Sequence, residues 1–383
     1  MRSDEQTHLG RVLAESATRL ELAAARLEGE VPEELLAVAA RVLDVKYALD
    51  KDVDRRHRRG AATALRQWTS PRLGALRHHP PVVLRVPMSY LRVDLPRDPP
   101  SIAIVTPSYQ QGRYLERTVY SVLSQDYPRL EYVVQDGGSE DETVAVLKRF
   151  AGLLGAWASE PDEGQADAIN RGFTRISGEI MAYLNSDDLL LPGSLAYVAS
   201  YFAAHPEVDL VYGHRIMIDE HDREVGRWVL PPHDADVLPV TDFIPQETMF
   251  WRRELWERAG GQMDASLNFA IDWDLLLRFR AAGARMVRLP RYLGAFRVHA
   301  EQKTAREQSL CREETELLQK RELGRTMTEE EVFARAQPFL RRHVAFHTLH
   351  GLLERLPLPR VDVRTVPLEV ADATAATPAF DRR

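Results

Sequence analysis

From Ser101 onward the chain alternates short apolar runs with amphipathic stretches, the rhythm of βαβ units built on a largely parallel, buried sheet. Five strands are predicted, over 102–106, 131–135, 156–159, 180–184 and 210–212, with helices over 114–124, 141–150, 165–175 and 193–204. Beyond Asp219 the order is less regular: a hairpin around Asp222, a Pro-rich loop at Pro231 and Pro232, a strand over 248–251 and a helix over 272–282. Before Ser101 the period is helical. Ala17, Leu20, Ala24, Leu27 and Val31 fall in a rough heptad, and Pro32 opens a second helix that runs to Asp54. So brief a seam suits a short coiled coil, through which copies would pair as a homo-oligomer, and equally a helical hairpin packed on the next domain. Residues 307–356 read as helical again and the tail after Pro357 as loosely ordered. The expected division is a helical N-terminal region with a basic segment (1–95), an α/β domain (96–305), and a C-terminal helical region with its tail (306–383).

Composition narrows the class. A chain of 383 residues, 44% hydrophobic and carrying both charge signs, is a soluble globular protein of two or three regions. Its formal net charge of −7 argues against a nucleic-acid partner. One stretch runs the other way: Arg55, Arg56, Arg58, Arg59, Arg66, Arg72, Arg77 and Arg85 have almost no acids among them. That run is either a solvated face or a peripheral contact with anionic lipid headgroups or a polyanionic acceptor. No stretch is long and apolar enough to span a bilayer, and the start lacks a signal peptide's apolar core. Cys311 is the sole cysteine, so neither an intramolecular disulfide nor a cysteine-based zinc site can form. The expected location is the cytoplasm, with any membrane contact at its inner face.

The candidate chemistry sits where predicted strands end. Met181-Ala182-Tyr183-Leu184 empties into Asn185-Ser186-Asp187-Asp188, adjacent carboxylates at the edge where such sheets collect ligands. Hard cations such as Mg²⁺ or Mn²⁺ take oxygen ligands of this kind and keep part of their coordination for phosphates. Taken alone the pair is weak, because Asp also caps helices and Pro192 suits a first turn. After the first strand, Thr106-Pro107-Ser108-Tyr109-Gln110-Gln111-Gly112 places an aromatic ring and free amides at the same edge. Neither G-x-G-x-x-G nor GK[ST] is present, which removes the dinucleotide and phosphate-loop readings. The second strand ends in Asp136-Gly137-Gly138-Ser139-Glu140-Asp141, where Asp136 can accept from a uracil imide N–H or act as a turn acid.

Seven pieces in order resemble the family-2 inverting glycosyltransferases of GT-A fold. They are Thr-Pro-Ser-Tyr at 106–109, Ser-Gln-Asp-Tyr-Pro at 124–128, Asp-Gly-Gly-Ser at 136–139, Glu-Pro-Asp-Glu-Gly-Gln-Ala-Asp-Ala-Ile-Asn at 160–170, Asn-Ser-Asp-Asp at 185–188, Tyr-Gly at 212–213 and Ile-Asp-Trp-Asp-Leu at 271–275. The resemblance covers residues 101–304 and implies an α/β GT-A fold, a Rossmann-like mixed sheet flanked by helices, with helical extensions at both ends. It implies a nucleotide-sugar donor, most plausibly UDP-linked, and a glycan or lipid-linked acceptor of surface polysaccharide assembly. Tyr109 would stack on the base beside Thr106 and Pro107, with Asp136 on the base edge. Asp187 would face the ribose or diphosphate and Asp188 would bind the metal, Mn²⁺ or Mg²⁺. Asp162, Gln165, Asp167 and Asn170 would lie between diphosphate and sugar. Many relatives have Arg where this chain has Ile169, and Arg171 is the nearby substitute. The general base falls on Asp272, preceded here by Ile271 instead of the family's Glu, with Asp274 as fallback. Gln246 would lie on the acceptor side, while Arg297 and His299 would close over the diphosphate or complete the metal shell. The Gln-x-x-Arg-Trp motif and membrane helices of processive synthases are missing, so single-sugar transfer is expected.

Two other classes compete. Nucleotidyl transfer to a sugar phosphate uses related metal logic, but calls for a Gly-rich, basic signature after the first strand that Thr106 to Tyr109 lacks. A non-catalytic sugar-nucleotide binder within a larger assembly would fit the missing Glu, though not the retained Asp187 and Asp188.

Overall fold

The computed structural model describes residues 77–300, 302, 308–339 and 359–366. The N-terminal heptad, the basic run through Arg72 and most of the tail lie outside the described residues.

Strands β3 (Ile102–Ser108), β4 (Leu130–Asp136), β5 (Ala156–Ser159) and β6 (Ile180–Tyr183) are parallel, in the spatial order β5-β4-β3-β6. Helices α1 (Gly112–Leu123), α2 (Thr143–Phe150) and α3 (Gln165–Phe173) make the crossovers. Every residue of β3 is buried, as a strand covered on both faces requires. Its side chains alternate. Ile102 and Ile104 join the core shared with α1, α2 and α4 (Ser194–Ala204), while Ala103 and Val105 join the core under α3, α5 (Arg253–Arg258) and α6 (Ile271–Ala281).

Beyond β6 the sheet becomes antiparallel. β10 (Phe250–Arg252) pairs with β6 on one side and β8 (Leu210–Ile218) on the other, and β8 continues to β9 (Arg223–Trp228) through the expected hairpin at Asp222. β1 (Arg77–Val83) closes that edge against β9. β11 (Met286–Arg297) runs parallel to β8 and antiparallel to the short β7 (Leu189–Leu190). The result is the mixed α/β sheet flanked by helices that the sequence leads one to expect, parallel from β5 to β6 and mixed beyond it, where β11 is parallel to β8.

Several elements correct the sequence reading. Residues 77–83 lie in the stretch read as helical and form a strand; Pro80 and Pro81 are tolerated because β1 is at the sheet's edge. β12 (Arg360–Asp362), in the tail read as loose, pairs with β2 (Arg85–Pro87), and Val363 packs beside Leu84 and Val86. The sheets therefore draw strands from both sides of the boundaries expected at 96 and 305. The 210–212 strand extends to Ile218, and β11 had no predicted counterpart. In the C-terminal region α7 (Gln308–Leu323) and a helix over 329–339 are helical as expected, and Leu318 joins the core under α6.

Gly172 shows how tightly α3 seats on β3. A Cβ there would stand 2.4 Å from a methyl of Val105, a stiff β-branched side chain in the central strand. Helix propensity alone favours Ala over Gly by about 1 kcal/mol. Overpacking a dense core costs about 1–3 kcal/mol and outweighs it. Gly172→Ala is expected to lower the urea midpoint without changing the slope of the transition.

Candidate active site

The carboxyl ends of β3, β4 and β6 open on one edge of the sheet, the usual ligand side of an α/β fold. Two backbone-directed bonds tie the first two loops together: Gly137 N–H donates to the Ser108 carbonyl (2.9 Å), and Gln110 N–H donates to Ser139 Oγ (2.7 Å). Tyr109 emerges between them 63% exposed, so its ring is free to meet a ligand. Thr106 and Pro107 are buried beneath it, and the Thr106 hydroxyl is paired with Tyr132 Oη (3.0 Å). Asp136 is fully buried. Its Oδ2 accepts from Ser139 N–H (2.9 Å) and Ser159 Oγ (2.7 Å), and its Oδ1 from Ser139 Oγ (2.6 Å). A carboxylate has about four acceptor sites, so one remains.

Asp162 approaches this turn closely: a Cβ on Gly137 would lie 2.8 Å from its carboxylate. Burial, with Asp167 and Asp136 nearby, pushes the Asp162 carboxyl up. Gln165 Nε2 donates to Asn185 Oδ1 (2.7 Å), linking the start of α3 to the loop before the paired aspartates. Asn170 is not brought to this group. Its amide clasps Met263, donating to the carbonyl (3.1 Å) and accepting from the N–H (2.7 Å). Ile169 is in the core, and Arg171 is paired with Asp167 (2.7 Å) and the Pro161 carbonyl (3.0 Å), so neither offers a free cation at this edge.

The paired aspartates follow β6, and β11 delivers their partners. Because β11 pairs with β7, Arg297 and His299 arrive beside Asp187 and Asp188. Arg297 N–H donates to Asp188 Oδ1 (2.9 Å), and its buried guanidinium donates to the carbonyls of Asp187 (2.7 Å) and Asp219 (2.9 Å) and pairs with Asp222 (2.6 Å). Arg297 therefore fastens the loop to the β8–β9 hairpin. His299 Nε2 lies 3.0 Å from Asp187 Oδ2, while its Nδ1 is buried with no hydrogen-bond partner.

Asp188 is almost wholly buried. Burial, then the charges of Asp187 and Glu247, push its carboxyl well above the usual carboxylate range. An anion so placed, beside further carboxylates, suits a cation. In the tautomer whose Nε2–H donates to Asp187, the His299 ring keeps a lone pair on Nδ1, the carboxylate–histidine arrangement that orients metal ligands. Among the described residues no three His, Cys, Asp or Glu side chains group closely enough to hold a metal. Asp188 and His299 Nδ1 are thus donors of the kind hard and borderline divalent ions accept, but short of a complete shell.

A second acidic group surrounds the start of α6. Asp272, in the first turn of α6, accepts from Trp273 N–H (2.9 Å), and burial pushes its carboxyl up. Its electrostatic neighbours include Arg215, Glu247 and Asp242. Arg215 on β8 and the buried Glu247 form a two-pronged pair (2.7 and 2.6 Å). Burial, then the charge of Asp272, push Asp242 up as well. Asp274, the fallback base, is fully buried and held in the interior by Arg278 (2.8 Å) on one oxygen and Arg321 on the other, which keeps it from an acceptor at the surface. Gln246 is buried and donates to the Tyr183 carbonyl (2.7 Å). Asp242, Glu247 and Arg215 have no local sequence signal; the one available cue was Asp274 four residues before Arg278.

Comparison with known proteins gives a consistent result. The model of the family described as Glycosyl transferase family 2 matches residues 103–263. An uncharacterized glycosyltransferase of Mycobacterium tuberculosis is 31% identical over 185 residues, covering 47% of this chain and 68% of the relative. A PGL/p-HBAD biosynthesis glycosyltransferase of Mycobacterium bovis is 32% identical over 183 residues, covering 47% and 69%. Among solved structures, S. aureus TarS aligns with a TM-score of 0.47 at 19% identity, over 64% of this chain and 44% of TarS.

Proposed function

The chain belongs to glycosyl transferase family 2, and from that premise we propose that it moves one sugar from a nucleotide-diphospho sugar to an acceptor hydroxyl with inversion. It is a glycosyltransferase; the donor we favour is UDP-linked, and the acceptor a glycan or lipid-linked sugar. The observation that carries this reading is the buried Asp188 together with the unspent His299 nitrogen, set at the same sheet edge as the exposed Tyr109 ring.

In this reading Tyr109 stacks on the base, and the remaining acceptor site of Asp136 takes the base's imide N–H. Asp162 and Gln165 line the path between diphosphate and sugar. Asp187 orients His299 rather than meeting the ribose, since its Oδ2 already faces Nε2. A bound Mg²⁺ or Mn²⁺ supplies neutralising charge for the leaving nucleoside diphosphate. Asp272 takes the acceptor proton as attack proceeds, and its raised proton affinity makes it a stronger base than an ordinary carboxylate. A single displacement needs no covalent sugar intermediate and inverts the anomeric carbon.

A panel of sugar nucleotides with and without Mn²⁺ tests this. One donor should raise the melting temperature only with the metal, by an amount that grows with donor concentration, and should be slowly hydrolysed to the nucleoside diphosphate. A panel in which no donor shifts melting or loses its sugar would sink the reading. No described helix is long and apolar enough to cross a membrane.

A further inference from the structure

Helix α7 carries a second set of attachments that bears on the base. Glu314, buried on its inner face, accepts from three successive backbone N–H groups: Asn268 through Oε1 (2.8 Å), and Phe269 (2.9 Å) and Ala270 (2.8 Å) through Oε2. Ala270 is the N-cap residue of α6, and its side chain offers no acceptor to the helix start. Glu314 therefore does for residues 268–270 what no side chain of that segment does. It fixes the backbone two residues before Asp272.

The same helix makes two more ties. Gln319 Nε2 donates to the Val240 carbonyl (3.0 Å), two residues before Asp242, and Arg321 pairs with Asp274 on α6. Trp273 Nε1 donates to the Leu238 carbonyl (2.8 Å), joining α6 to that same segment directly. The segments bearing Asp242 and Asp272 are thus both anchored to one helix outside the residues the family model matches. None of these contacts involves the Tyr109, Asp136 or Asp188 loops.

We propose that Glu314 is a positioning residue for Asp272, so that α7 governs sugar transfer while leaving donor binding to the sheet edge. The proposal rests on the base assignment given above. Catalytic groups tolerate little displacement: a shift of about 1 Å can cost about 100-fold in rate. Losing Glu314 would release three N–H donors and let the start of α6 move by such an amount.

The test uses the full chain with Mn²⁺ and whichever sugar nucleotide stabilises it in the panel, following nucleoside diphosphate release and, separately, donor binding by calorimetry. Glu314→Ala should lower kcat by about 100-fold, with donor Kd and KM unchanged within about twofold. Glu314→Gln keeps a carbonyl able to accept from Phe269 and Ala270, and should lose only about tenfold. Hydrogen exchange in the metal-free protein should quicken at amides 268–270 and stay unchanged at 136–139 and 185–188. Parallel loss of donor affinity and kcat in both variants would show a merely structural role and overturn the proposal, as would unchanged kcat in Glu314→Ala. If Glu314→Ala shows the split while Asp272→Asn retains full activity, the base assignment fails and Glu314 positions some other group. Parent protein that binds no sugar nucleotide would overturn the donor-site reading itself.

Discussion

Asp188→Asn is expected to abolish metal-dependent donor binding while leaving the ligand-free protein at least as stable as the parent. The substitution keeps the side chain's shape and an oxygen to accept from Arg297 N–H, so the loop's anchor to β11 survives. It removes a charge from a site that is almost dry and shared with Asp187 and Glu247. Burying an anion beside others opposes folding unless a cation answers it. A group whose folded-state proton affinity is raised above its unfolded value destabilises once ionised, so the penalty is present at neutral pH and fades as pH falls. That penalty is lifted in the variant. A ligand at 100 times its dissociation constant stabilises by about 2.7 kcal/mol, and this gain should vanish. Melting curves with and without Mn²⁺ and donor check both halves. A variant that still gains stability from donor only when Mn²⁺ is present would place the metal elsewhere.

Where the proposed donor-side residues would fall in the fold was legible because their signals are local. Tyr109, Asp136 and Asp188 each follow an apolar run with the length of a buried strand, and the structure puts all three at strand ends on one edge. The charged group around Asp272 was not, for a physical reason. Arg215 and Glu247 satisfy each other across 32 positions, and nothing near either residue marks a buried pair. β11 escaped because Arg288, Arg291 and Arg297 interrupt its apolar pattern, yet all three are buried. Arg291 lies over the Tyr90 and Tyr197 rings (3.8 and 4.7 Å) and donates to main-chain carbonyls, so a charge that reads as solvent-facing is satisfied inside. Missing β11 meant missing how Arg297 and His299 reach the aspartates. Pairing partners of short strands were equally hidden, since the three residues of β12 carry no periodicity from which a strand could be read.

Asp272→Asn should leave donor and metal binding intact and lower transfer by about 10²–10⁴-fold, the usual worth of a positioned general base. The amide can keep the bond from Trp273 N–H, and no contact of the Tyr109 or Asp188 loops depends on it. Separation of binding from turnover is therefore the signature to look for, in contrast to Asp188→Asn, where both fall together. The pH profile adds a second, independent mark. A base must be ionised, so rate climbs as pH rises through its pKa, and burial of Asp272 moves that climb above the reference value of about 3.9. Residual activity in the variant should lack this limb. Should the variant keep both rate and limb, the proton goes to another carboxylate. Asp274 is then a poor candidate, because Arg278 and Arg321 hold both its oxygens as an ion-paired group. Asp242 is the better one: it is only half-buried by area, its carboxyl is pushed up by burial and by Asp272, and its charge is eased by backbone donors and the nearby Arg215 without an ion pair of its own among the described contacts. Asp242→Asn made alongside Asp272→Asn would decide which of the two carboxylates receives the acceptor's proton.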